Sequence, residues 1–233
     1  MRLNEFDLNQ QIAYHSELNP AAWAGKSLQP AVRYKLLLIA KRFIEYLEIE
    51  NFRVLDIVLT GSMANYNWTE YSDFDIHVVT QYSDLQCDDL AEAFYQAKKK
   101  IWNDSHDIII HGHEVELYVE DIDQPPVSAG VYSILDGKWL KKPGYVPPDV
   151  DDRAVKLKVQ DLIKRIDHVL AAADSPDEVN RTVDKIYQMR KAGLADAGEF
   201  STENLSFKIL RNLGYLDKLR AAYNHLQDQE LGL

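Results

Sequence analysis

The chain has 233 residues, 46% of them hydrophobic, enough for one large domain or two small ones with a real core. Its formal charge of −11 is uneven, with 13 basic against 22 acidic residues before Asp149 and 13 against 15 from there on. So acidic a chain is a poor nonspecific binder of nucleic acid, because such binding neutralises phosphates with Lys and Arg. No run of about 18 apolar residues is long enough to span a membrane, and "MRLNEFDLNQQ" has no apolar segment behind its basic residue, so the chain reads as intracellular and cytoplasmic. The single Cys87 has no disulfide partner and fits a reducing compartment.

In chain order, "NPAAWAGKSLQP" reads as loop because Pro, Gly and Ser fall close together. Residues 31–50 read as a helix, with Leu36, Ala40, Phe43, Ile44 and Leu47 at three- and four-residue steps. Leu37, Leu38 and Ile39 widen that stripe and predict burial on more than one side. "FRVLDIVLTGS" and "SDFDIHVVT" read as strands, the second placing Phe74, Ile76 and Val78 on one face and Asp73, Asp75 and His77 on the other. A helix is predicted through "DDLAEAFYQAKKKIWND", whose "AKKK" reads as the basic end of the helix, favoured by its dipole. "HDIIIH" and "HEVELYVED" follow as strands around Gly112, and a further hairpin is centred on Asp136 and Gly137.

After the proline-rich stretch near Pro148 everything reads as helix. Val155, Val159, Leu162, Ile163, Ile166 and Leu170 keep helical spacing, as do Val179, Val183, Ile186 and Tyr187 behind Ser175-Pro176. A last helical region over about 202–227 has a break expected at Gly214. The expected organisation is a sheet domain over 1–148 and a helical domain over 149–233.

The chemistry lies in "TGSMANYNWTEYSDFDIHVV". Side chains two apart on a strand share a face, so Asp73 and Asp75 occupy one small volume and repel. A divalent cation relieves that repulsion. Mg²⁺ takes carboxylate and phosphate oxygens, and paired ions serve phosphoryl and nucleotidyl transfer. A third carboxylate is expected on "HEVELYVE", where Glu114, Glu116 and Tyr118 share a face. Glu116 is preferred because apolar residues flank it in mid-strand, whereas Glu114 adjoins the turn. Gly61 permits a tight turn in which backbone N–H groups approach an anion, and Ser62 adds a hydroxyl.

The series "VLTGS", spacer, "DFDI", then "VELYV" resembles the signature of the nucleotidyltransferase superfamily with the DNA polymerase β type of core. Most of the chain is similar to a group of short predicted nucleotidyltransferases of phages and their hosts. The resemblance implies an α+β fold, a mixed-sheet catalytic core with flanking helices followed by a C-terminal helical bundle. It implies that Asp73, Asp75 and Glu116 hold catalytic Mg²⁺ or Mn²⁺, with Glu116 also a base, and that Gly61 and Ser62 hold the phosphates of an NTP. Ser72, directly before Asp73, fits the same pattern; the Glu at 116, where the family commonly has Asp, departs from it.

Lys208 and Arg211, three apart on one helical face, are expected to reach the triphosphate, and Arg190 and Lys191 are weaker candidates. His106, His111 and His113 suggest zinc only faintly; His77 is a candidate beside the metals. Tyr66 and Trp68, in the spacer with Asn65 and Asn67, either stack on a base or pack the loop onto the sheet. The acceptor is open between a small molecule, an RNA end, which needs Lys156, Lys164, Arg165 and Arg190 displayed together, and a protein hydroxyl. The rival reading is a catalytically silent nucleotide-binding or interaction module with the same fold.

Overall fold

The computed structural model describes residues 13–85, 88–124, 128–145 and 149–232. Cys87 and the prolines of the 146–148 stretch lie outside them. The chain divides into two compact units, Ala13–Val146 and Pro147–Leu233, the first twelve residues aside.

The first unit is built on a six-stranded sheet in the order β5-β6-β4-β3-β7-β8. Strands β3 (Asp56–Thr60) and β4 (Phe74–Thr80) are antiparallel, and β6 (His113–Asp121) runs parallel to β4. The strands β5 (Ile109–Ile110), β7 (Val131–Ser133) and β8 (Lys138–Lys141) complete a mixed sheet. A parallel pair needs a crossover, and the helix α2 (Asp88–Ser105) supplies it between β4 and β6. Both expected hairpins form: His111 and Gly112 take φ of 52° and 87° in the two-residue turn from β5 to β6, and Gly137 takes 71° between β7 and β8. Arg33 donates to the carbonyls of Ile134 and Leu135, both at 2.7 Å, and so closes the second turn.

Alternation along the strands divides the sheet into two faces. Phe74, Ile76 and Val78 of β4 and Val115, Leu117 and Val119 of β6 are buried, in one core with Leu36, Ala40, Phe43 and Leu47 of the helix α1 (Pro30–Leu47) and Tyr95 and Trp102 of α2. α1 starts with Pro30 at its first position and ends through Glu48 in the left-handed conformation. Its fully buried residues form one stripe. Leu37 and Ile39 are partly buried and pack against the core as expected, whereas Leu38 is 46% exposed, because the 100° step per residue carries it past the edge of the packing surface.

The stretch read as loop holds a small hairpin, β1 (Trp23–Ala24) with β2 (Ser27–Leu28). Trp23 is its anchor. The indole stacks on Trp139 at 4.8 Å and donates to the carbonyl of Met63 at 2.8 Å, which gives two-residue strands a reason to persist.

β6 is flanked by β5 only at its start, so the groups of Leu117 face a helix. There Asn103 of α2 accepts from Leu117 N–H at 3.1 Å and donates to its carbonyl at 3.2 Å. This amide takes the place of a neighbouring strand. Asn103→Ala is therefore expected to destabilise the chain by about 2 kcal/mol, the cost of leaving such groups unpaired. Urea unfolding with an unchanged slope checks it.

The second unit contains α3 (Asp152–Ala172), α4 (Pro176–Ala197), α5 (Thr202–Asn212) and α6 (Tyr215–Glu230). The break expected near Gly214 is present, with Gly214 at φ 73° between α5 and α6. Asp151 caps α3 by accepting from Ala154 N–H, and Ser201 caps α5 by accepting from Asn204 N–H. The core is Val155, Val159, Ile163 and Ile166 against Val179, Ile186, Leu205, Phe207, Ile209, Leu210 and Leu219. Tyr187 is 46% exposed and stands outside it.

Candidate active site

The second face of the sheet carries the acids. Asp73 directly precedes β4 and Asp75 is its second residue; both are half-buried. Parallel pairing of β4 with β6 sets Asp75 opposite Glu116, and the next row sets His77 opposite Tyr118. Neighbouring strands lie about 4.8 Å apart, so the carboxylates of Asp75 and Glu116 share one local field. Glu114 instead pairs with Ile109 and is exposed.

Gly61 closes on this row from the other side. Thr60 pairs with Asp75, and Gly61 follows at φ 70° and ψ −160°, a region open essentially to Gly alone. A Cβ built there would lie 1.9 Å from Asp75 Oδ2. The glycine thus leaves room for the carboxylate, where the sequence suggested room for an anion. Its own N–H donates to Ser128 Oγ at 3.3 Å. Ser62 begins a single 3₁₀ turn, and its Oγ bonds Ser72 Oγ at 2.8 Å, while Ser72 Oγ also accepts from Thr69 N–H at 2.8 Å. The two serines therefore pin the ends of the spacer together beside Asp73.

Residues 40–136 match the family model described as a nucleotidyltransferase domain. That stretch, within the sheet unit, is similar to nucleotidyltransferase domains. No curated protein matches the chain. Among solved structures, the STING-associated CdnE c-di-GMP synthase from Capnocytophaga granulosa is similar at 13% identity over 87% of this chain and 84% of that one, with a TM-score of 0.22. So distant a likeness carries no argument about activity.

Within the sheet unit the three histidines near the β5–β6 turn do not converge. His106 stacks on Trp102 and donates to its carbonyl, while His111 sits exposed in the turn. His113 is buried, with Nδ1–H donating to the Ser72 carbonyl at 2.7 Å and Nε2 accepting from Asn19 at 3.1 Å. Among the described residues no group of three or more His, Cys, Asp or Glu side chains that could hold a metal ion is found. His113 is a structural tie that fixes Ser72, and through it the approach to Asp73.

The spacer aromatics pack. Tyr66 lies against Tyr14 and Tyr145, and Trp68 stacks on His15 with centroids 3.6 Å apart, which favours loop packing over base stacking. His77 bonds Glu120 Oε2 at 2.7 Å and stacks on Tyr118, whose hydroxyl donates to Glu116 Oε2.

The basic candidates lie in the helical unit, whereas the acidic face is built wholly from the sheet unit. Lys208 is half-buried and Arg211 exposed in the last turn of α5. Arg190 turns into the bundle, donating to Asn204 Oδ1 at 3.2 Å with its guanidinium 4.3 Å from the Phe207 ring centroid. Lys191, Lys156 and Lys164 are exposed, and Arg165 pairs with Asp161 at 2.8 Å. With Arg190 committed to packing, the four-residue basic display considered for an RNA end loses a member.

Two residues at the site carried no signal in the sequence. Ser128 follows a Pro-Pro pair that reads only as a break, and Lys99 belongs to the run read as the basic end of the helix, whereas α2 continues to Ser105 and has no basic residue in its last turn. Lys99 Nζ lies 4.0 Å from the Tyr118 ring centroid. Burial lowers its pKa, and the charges of Glu116 and then Asp75 oppose that shift.

Proposed function

We propose that the chain transfers a nucleoside monophosphate from an NTP to an acceptor hydroxyl and releases pyrophosphate. The observation that supports this most is the register pair of Asp75 and Glu116 with Gly61 cleared against Asp75 Oδ2. A divalent cation fits the chemistry of the donors: Asp73, Asp75 and Glu116 offer oxygen only, which suits Mg²⁺ or Mn²⁺, ions that take one or two carboxylates and further oxygens from substrate phosphates. Such ions, when bound, stabilise charge on the attacking and leaving oxygens of an in-line displacement.

The chain's own residues have separable tasks. Ser62 and Ser72 present hydroxyls at the turn beside Asp73, where the phosphates of the NTP are held next to Gly61. Glu116, on the side of Asp75 away from Gly61, accepts the acceptor hydroxyl's proton. That proton transfer, with attack on the α-phosphorus and departure of pyrophosphate, completes the exchange.

The test is transfer of label from each α-labelled NTP, with Mg²⁺ or Mn²⁺, into fractionated small molecules, RNA and protein. Label entering one fraction confirms the chemistry and identifies the acceptor class. Bound NTP with no label in any fraction overturns the proposal in favour of a silent binding module.

A further inference from the structure

The edge of the acidic face holds Glu116 more firmly than strand geometry requires. Tyr118, two residues on along β6 and on the same side, donates its hydroxyl to Glu116 Oε2. Its ring is stacked by His77 at 4.6 Å and 11°, and His77 is fixed in turn by Glu120. Lys99 lies over the same ring at 4.0 Å. It reaches there because Asn103, one helical turn further along α2, ties the helix to Leu117 of β6, and residues four apart share a helix face.

We infer that Tyr118 and Lys99 are positioning residues for Glu116: the phenol aims the carboxylate, and the ammonium offsets its repulsion with Asp75 before a divalent cation binds. The inference rests on the metal-dependent reading above. Partners that hydrogen-bond a ligating carboxylate orient it and tune its hold on the metal. An ammonium in the same field acts oppositely, stabilising the metal-free acids and competing with the cation.

The experiment is direct Mn²⁺ binding by electron paramagnetic resonance on the full chain, for wild type, Tyr118→Phe and Lys99→Met. Thermal unfolding is followed in parallel with and without saturating Mn²⁺. Tyr118→Phe keeps the ring and is expected to bind Mn²⁺ about tenfold more weakly. Lys99→Met is expected to bind it more tightly, by about fivefold, and to unfold at a lower temperature than wild type only while Mn²⁺ is absent. A packing role alone would weaken binding in both variants and leave a thermal deficit that Mn²⁺ does not repair. Wild-type protein that binds no Mn²⁺ overturns the metal-dependent reading and this inference together. Wild-type binding with either variant unchanged, or with Lys99→Met weakened, overturns this inference alone.

Discussion

Asp75→Asn is expected to lower nucleotidyl transfer by a factor on the order of 10³ or more, the scale on which losing a charge-stabilising group at a reacting centre is felt. The substitution keeps the shape of the side chain, so β4 keeps its pairing with β3 and β6. Metal-free stability should be unchanged or slightly higher, since one of two facing carboxylates is neutralised. Loss of transfer without loss of stability is the pattern of a site held against its own repulsion, where function and stability pull apart. Label transfer and urea unfolding on the same preparation check both parts. An Asp75→Asn protein that still transfers at the wild-type rate would sink the assignment of this face.

Gly61→Ala is the second large effect, and its causes are steric. The backbone at φ 70° and ψ −160° is unfavourable for any residue with a Cβ, at about 1–3 kcal/mol. The added methyl also falls 1.9 Å from Asp75 Oδ2, so the carboxylate must move. A displacement of about 1 Å at a reacting centre is enough to lower turnover roughly 100-fold. Stability and transfer should therefore fall together here, unlike in Asp75→Asn. In an Asp75→Ala background the steric part is absent, and the stability cost of Gly61→Ala should shrink to the backbone part, a coupling of about 0.5–3 kcal/mol. Equal costs in the two backgrounds would show that the glycine serves its turn alone.

The contrast between what the sequence revealed and what it hid follows from range. Asp73 and Asp75 were legible because a period of two is a local property, and the preference for Glu116 over Glu114 followed from its apolar neighbours alone. Pairing across β4 and β6 then puts Glu116, not Glu114, opposite Asp75. The helices of the second unit were legible for the same reason. Lys99 was not, because a lysine on a helix looks identical whether it faces water or folds over the ring of a tyrosine nineteen positions later. The β1–β2 hairpin was hidden too: its strands are too short to alternate, and it depends on Trp23 finding Trp139 and the carbonyl of Met63. Gly61 was recognised as special for its freedom of backbone, but the neighbour that demands its small size is fourteen residues away.

The Asn103 amide on β6 has a consequence for how other molecules can approach this sheet. A row of unpaired backbone groups along a border invites a foreign strand to zip on. On one border that invitation is withdrawn at Leu117 by a side chain from a helix. On the other, β8 begins and ends in lysine, a charge that discourages a second copy of itself. An extended peptide meeting this sheet thus finds the backbone groups of Leu117 already taken and a charged strand at the β8 border.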